Sequence, residues 1–412
     1  MHMRGRVLLL VLSLIATHPS GARDSTVTVL TGATVYPSPD TAAIHDAIVI
    51  TSAGKITAVG QRGTVSIPAG SRIIDCSGQS IVAGFWNSHV HFTEPVWNQA
   101  ATAPAATLQK HMQEMLTRWG FTTVWDVGSD PNNSLALRRR VDSGEIKGPR
   151  ILLAGAIYPL HGHPVYLPAE VQLPEAATPQ QAASFARASV EMHLEGIKLF
   201  TGAFMGDAPV VNMSTDIVKA AVEVAHSHGE PVFAHPQNRI GLDNAITGGV
   251  DVLTHTIPDP SGYVYSPEEL SLFKKQHTAM TATLTLWTTV TDNPAQVDGL
   301  VRSGVAQLHA FSANSGAVLF GTDVGFINHY DTSQELEFMR RALSAREVLA
   351  SLTTTPASYF KAAKKGRVAV GFDADLAVLE GDPDDVRNLA KVVYTIRGGQ
   401  IIFQRERATE QN

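Results

Sequence analysis

The sequence predicts a mixed α/β protein, a (β/α)8 barrel carrying a small β-sandwich domain formed by both chain ends. Three observations predict it. Short β-rich runs separated by turn residues occupy residues 23–82 and return at 365–412. Between them, over residues 83–364, apolar strand candidates alternate eight times with helix-like stretches, the pattern of a closed parallel barrel. No G-x-G-x-x-G follows the first of those strands. The dinucleotide site that would favour a doubly wound open sheet, the alternative fold, therefore finds no support.

The elements follow in order. Residues 1–22 begin with Arg4 and Arg6, continue through the apolar run "VLLLVLSLIA" and end in small residues at Ser20 and Ala22. That is the shape of a secretory signal, too short in its apolar part to span a membrane. Cleavage is expected after Ala22, with an uncleaved anchor as the alternative. The mature protein would be exported, periplasmic or extracellular, with no membrane association once the signal is gone. The first sandwich segment reads "TVTVLTGATVYP", "AAIHDAIVITSAGKITAVG" and "GSRIIDCSG", with "SAGK" and "PAGS" as turns. The barrel strands are "SIVAGFWNSHVH", "FTTVWDVG", "RILLAGAIY", "GIKLFTG", "PVFAHP", "DVLTHT", "TAMTATLTL" and "AVLFGTD". Helical stretches such as "TLQKHMQEMLTRWG", "STDIVKAAVEVAHSHG" and "TSQELEFMRRAL" separate them. The second sandwich segment is "GRVAVGFDADLAVLE" with "KVVYTIRGGQIIFQR".

Composition limits the function. The 412 residues are 44% hydrophobic and 17% charged, which supplies a large core rather than a disordered chain. A net charge of −6 offers no basic surface to nucleic acid. Removing residues 1–22 takes away two arginines and no acids, giving −6 − 2 = −8. Cys76 is the one cysteine, so neither an internal disulfide nor a cysteine-based zinc site exists. The partner expected is a small-molecule substrate, and a homo-oligomer is left open.

The polar residues that matter stand at strand ends. In such a barrel, chemistry gathers at the C-terminal ends of the strands. Strand one ends in His89 and His91, which leave the same face. Lys198 interrupts the apolar strand four, His235 ends strand five, His255 ends strand six and Asp323 ends strand eight. The spacing fits one level of the barrel. His235 to His255 is 20 residues and one unit, Lys198 to His235 is 37 and one longer unit, and His255 to Asp323 is 68 and two units. Taken singly, each has a bland explanation: a satisfied core histidine, a helix cap after "GTD", a snorkelling lysine. Together the six point to a metal site. His226 and His228 flank a helix end, and His111, His193, His277 and His309 sit at no strand end; all six read as structural or solvated. His161 and His163, in "PLHGHPVY" after strand three, would overhang the site, and His163 is the candidate to touch substrate.

These residues resemble the amidohydrolase superfamily, including its Xaa-Pro-type dipeptidases and its imidazolonepropionase-like members. The H-x-H of "NSHVH", the lysine of "GIKLF", the histidines of "FAHP" and "LTHT" and the aspartate of "GTD" match its ligand order. The tail "TTTPASYFKAAKKGRVAVGFDADLAVLEGDP" resembles its return into the sandwich. The resemblance implies two divalent metal ions, zinc first with manganese or cobalt as substitutes. His89, His91 and Asp323 would hold one, His235 and His255 the other, and Lys198 would bridge both as a carbamate made with carbon dioxide. Asn87 departs from the pattern, standing where many members carry aspartate. The mononuclear members lack the lysine, so Lys198 favours the binuclear amide hydrolases.

The chemistry is intelligible from the residues. Desolvation in an apolar strand favours a neutral lysine amine, which can add carbon dioxide. Asp323 would act as general base, and His163 would stabilise the developing oxyanion. The expected activity is that of a secreted metal-dependent amidohydrolase, cleaving the amide bond of a dipeptide or N-acyl amino acid by attack of a metal-bridging hydroxide. A lactone, carbamate, phosphotriester or cyclic-amide hydrolase using the same site is the alternative, and a catalytically silent solute-binding protein a weaker one. Tyr158, Tyr166, Arg239 and Tyr330 are candidates to bind a substrate carboxylate. Specificity is expected from the loops 157–178, 202–214 and 257–266.

Overall fold

The computed structural model describes residues 27–164 and 172–406; residues 1–22, read above as an expected signal, and Tyr166 lie outside the described residues. Alternating apolar residues at the N-terminal end form β1 (Thr28–Val35), β2 (Ile44–Ser52) and β3 (Lys55–Gln61), followed by β4 (Arg72–Asp75) and β5 (Gln79–Ala83). The far end of the chain returns to this sheet. Its strands are β17 (Leu376–Glu380), β18 (Val392–Arg397) and β19 (Gln400–Gln404), in the order β19-β18-β17-β5-β1-β2-β3 with β4 beside β1. The seam is the antiparallel pair β5–β17, registered from Leu376 opposite Ala83 to Glu380 opposite Gln79. Leu30, Val49, Ile56, Ile81, Val378 and Ile396 form its own apolar core, which is why both chain ends are needed to make it.

The middle of the chain is a closed parallel barrel. Its eight staves are β6 (Phe85–Val90), β7 (Phe121–Asp126), β8 (Arg150–Pro159), β10 (Gly196–Leu199), β13 (Val232–Ala234), β14 (Val252–Thr254), β15 (Ala279–Thr281) and β16 (Ala317–Leu319). Each corresponds to one of the apolar runs read from sequence. The last meets the first through the chain just beyond it. Ser88 N donates to Phe320 O at 2.7 Å, Asp323 N donates to His89 O at 2.9 Å, and Val90 bridges Val324. Helices outside the staves bury one face, as Thr215–Ser227 does with Ile217, Val218, Ala221, Val222 and Ala225.

One run behaves differently from its sequence reading. The stretch read as a single strand through residues 80–91 is two strands in two sheets. Gly84 is the joint: its N–H donates to Asp375 O in the sandwich at 2.8 Å, while Phe85 N donates to Gly120 O in the barrel at 3.0 Å. A Cβ at Gly84 would stand 2.4 Å from the Thr122 side chain. A fully buried strand leaves no polar alternation to mark such a change of sheet. Three short strands complete the fold. β9 (Glu175–Ala176) lies beside β8, and β11 (Gly202–Met205) pairs with β12 (Ala208–Asn212) in a hairpin at the mouth of the barrel.

Candidate metal centre

Six groups line one cavity of about 960 Å³ or stand in its wall, and they come from five barrel strands. Strand geometry explains His89 and His91, which leave the same side of the β6 end two residues apart. Their Nε2 atoms are 3.2 Å apart. Asp323 Oδ1 lies 3.1 Å from the first and 3.0 Å from the second. Nevertheless Asp323 Oδ1 and His89 Nδ1 are buried without a hydrogen-bond partner among the described residues. The short contacts to Asp323 are therefore not directed hydrogen bonds. Three lone-pair atoms crowded this closely suit a shared cation: zinc bonded at about 2.0–2.1 Å places tetrahedral ligand atoms roughly 3.3 Å from each other.

His255 belongs to the same cluster. One ligand atom from each of His89, His255 and Asp323 lies within 4.8 Å of the others. The grouping implied by family resemblance put His255 with the other ion, so here it stands between the two sets. The rings run on in a wall, His89 to His255 at 4.6 Å between centroids and His255 to His235 at 4.7 Å. Hydrogen bonds fix which nitrogen is left over. The Thr283 hydroxyl donates to Ala282 O and so accepts from His255 Nδ1 at 2.6 Å, leaving Nε2 with its lone pair. Gln237 Oε1 accepts from His235 Nε2 at 2.9 Å, leaving Nδ1.

Lys198 sits on β10 and is wholly buried. Its Nζ donates to Thr254 Oγ1 at 2.7 Å and lies 5.4 Å from the Phe200 ring centroid. Burial lowers its pKa from 10.5 to about 7, although Asp323 pulls the other way. Near neutrality much of it is then the free amine that carbamate formation requires. Burial also lowers His89 to about 3, His235 to about 4 and His255 well below 6.5. The imidazoles are thus neutral, as metal binding needs. Burial alone would raise the Asp323 carboxyl, but His89 and His255 hold it well below the usual carboxylate range.

The backbone is strained where the site is. His255 (φ 72°), Thr283 (φ 47°), Gln237 (φ 47°) and Asp323 (φ 61°) all adopt the left-handed region. Non-glycine residues persist there only when their surroundings hold them, and such outliers concentrate at functional sites. Gly325 (φ 96°) has no alternative, since a Cβ would lie 1.8 Å from His91 O.

Two supporting acids escaped the sequence reading. Asp126 ends β7 as the other polar residues end theirs, so the same strand-end rule could have found it. It accepts from Ser129 Oγ at 2.6 Å and from Ser134 Oγ, and Ser129 Oγ accepts from Phe92 N at 2.8 Å, fixing the chain beside His91. Burial raises its pKa, with His91 opposing. Glu335, in the helix Ser333–Arg340, carries no such signal because it looks like a solvated helix face. It is buried and accepts from Leu284 N at 2.8 Å and Thr285 N at 2.6 Å, next to the Thr283 that holds His255. Asn87, the departure from family pattern, accepts from His89 N and Thr322 N, both at 3.2 Å, and donates to Thr322 Oγ1 at 2.8 Å. It ties the H-x-H strand to the "GTD" segment.

The other candidates scatter. Tyr158 lines the cavity, stacked on Phe200 at 3.9 Å. Tyr330 donates to Glu94, which lines it, and Arg239 lies over the Tyr263 ring instead. Pro164 lines the cavity; His163, one residue before it, does not, and its backbone N–H donates to Glu175 at 2.7 Å.

The lowered pKa values give a signed prediction. His89, His235 and His255 bind fewer protons folded than unfolded between about 4 and 6.5, so stability rises with pH across that window. Burial raises Glu335 to about 7 and raises Asp126 as well, so two buried carboxyls oppose the three imidazoles. Metal-free protein is expected to melt several degrees lower at about pH 5 than at about pH 7. Thermal unfolding across that range checks it; an unchanged or higher melting temperature in acid contradicts it.

Sequence comparison now bears on the same residues. The amidohydrolase family pattern matches residues 80–403. The chain belongs to the amidohydrolase family. Among curated proteins no sequence matches it. Among solved structures, a protein assigned as a prolidase from Bifidobacterium longum is 26% identical at a TM-score of 0.75, over 92% of this chain and 95% of that one. A Xaa-Pro dipeptidase with bound methionine in its active site is 21% identical at a TM-score of 0.76, over 92% of this chain and 100% of that one. The ochratoxinase of A. niger is 19% identical at a TM-score of 0.75, over 93% and 97%. An amidohydrolase with this cluster is a hydrolase, and divalent metals are the family's general cofactor.

Proposed function

We propose that this amidohydrolase is a binuclear metal-dependent amidase, cleaving the amide that joins an acyl group to an amino acid or a simple amine. The crowding of His89 Nε2, His91 Nε2 and Asp323 Oδ1 within 3.0–3.2 Å carries the reading. His89, His91 and Asp323 would hold one ion, His235 and His255 the other, and carboxylated Lys198 would join them. Ions held there supply a water activated near neutral pH and polarise the substrate carbonyl. The prolidase and dipeptidase names among the structural neighbours support an amide as the bond cleaved.

The chain's own residues do the rest. Asp323 has an oxygen without a hydrogen bond at the cluster, where it takes a proton and later delivers it to the leaving nitrogen. Thr283, Gln237 and Asn87 hold the imidazoles and strand end in orientation, so little rearrangement precedes reaction. The arginines and apolar run of residues 1–22 support export. A zinc-loaded sample screened against dipeptides, N-acyl amino acids, simple amides, lactones and phosphotriesters tests the activity. Amides are expected to be the preferred class, and a preference for lactones or phosphotriesters would overturn the reading.

A further inference from the structure

Away from the metal centre the cavity wall is largely apolar, interrupted by neutral polar groups such as Thr289, Thr291, Gln296 and Asn328, and among the described residues it carries no cation to receive an anionic substrate. Phe204 from the β11–β12 hairpin, Val290 from the segment after the turn Leu284–Thr288, and Phe326 from the loop after Asp323 all line it. Their exposures are 44%, 49% and 42%, so three large apolar side chains from separate parts of the chain stand open to solvent at one mouth. Single exposed apolar residues need no explanation, but a convergent group over a cleft marks a binding surface. Behind them Val210, Trp287 and Leu300 continue the same wall.

Charge points the same way. Among the described lining residues there is no arginine, and the one lysine is Lys198, buried at the centre. Residues 165–171 contain no lysine, arginine or histidine in sequence. The lining acid besides Asp323 is Glu94. It accepts from Tyr330 Oη at 2.6 and 2.7 Å and from Trp97 Nε1 at 3.3 Å. These donors are neutral, so they orient the carboxylate without cancelling its charge. A substrate carboxylate entering here meets an anion and, among the described lining residues outside the metal centre, no cation. An ammonium meets that charge as well, but with both Glu94 oxygens already accepting from Tyr330.

Resting on the amidase reading, we propose that the part of the substrate beyond the scissile amide is uncharged and apolar, so that the preferred substrates are neutral amides rather than amides with a free carboxylate. Three amides that share an N-benzoyl-2-phenylethylamine core test this: the parent, the analogue with an α-carboxylate and the analogue with an α-aminomethyl group. Turnover by the zinc-loaded full chain is measured alongside binding to the metal-free protein, followed by tryptophan fluorescence. The parent is expected to exceed the carboxylate in kcat/KM by at least about tenfold and to bind metal-free protein more tightly. Phe326→Ser should shrink that advantage, and Glu94→Gln should raise the carboxylate's kcat/KM several-fold. Preference for the carboxylate, or for the ammonium, would overturn the proposal while leaving the amidase reading intact. Tightest binding of the parent with no amide hydrolysed at all would uphold the apolar subsite and sink the amidase reading.

Discussion

Lys198→Met is expected to give a protein that is more stable than the parent without metal and almost inactive with it. Methionine matches the length of the lysine stem and removes an amine held in an apolar, fully buried position. Lowering that amine from 10.5 to about 7 corresponds to roughly 5 kcal/mol of folding free energy set against the native state. The sign follows from the proton count. The folded chain binds the proton less well than the unfolded one, so the penalty is complete below about pH 7 and disappears above about 10.5. The gain from methionine is therefore largest at neutral and acid pH. Thr254 keeps a partner, because its hydroxyl already donates to Ala234 O at 2.8 Å, so no new buried donor is orphaned. Activity should fall by on the order of a thousandfold or more with the loss of the bridging group. Thermal unfolding of the metal-free variant and kcat of the metal-loaded one check both halves. A destabilised variant would mean that the amine is better solvated than its burial implies.

Asp323→Asn should abolish activity while sparing the fold. Asparagine has the same shape and is among the few residues that tolerate the left-handed backbone which Asp323 adopts at φ 61°. It cannot carry the negative charge or accept the proton. A loss of about a thousandfold in kcat/KM is expected, with a metal-free melting temperature within a few degrees of the parent. An alanine at the same position would add backbone strain and blur the result. Retention of more than about a tenth of the activity would remove Asp323 from the proton-carrying role.

Much of this architecture is visible in the residues. The barrel is legible because each of its staves is an apolar run followed by a helix-forming stretch. The candidate ligands are legible because a histidine, lysine or aspartate closing an apolar strand has no packing reason to be there. The same reasoning extends to Asp126 in "FTTVWD", whose two serine partners lie only three and eight residues on. Other features have no local signature. Glu335 looks like any acid on a helix, and its burial follows only from the turn Leu284–Thr288 packing above it. The change of sheet at Gly84 is hidden because both strands it joins are apolar throughout. The β11–β12 hairpin lies in a loop where specificity was expected, but its apolar tip emerges only when Phe204 meets Phe326 and Val290 at one opening.

Six side chains, distant in sequence, gather at one rim of the barrel, and the function proposed above has them hold a pair of cations. Metal content of the zinc-loaded, desalted protein tests it most directly, measured together with Lys198→Ala. Close to two ions per chain are predicted for the parent, with loss of metal and activity in the variant. One tightly held ion, with Lys198→Ala fully active, would contradict it.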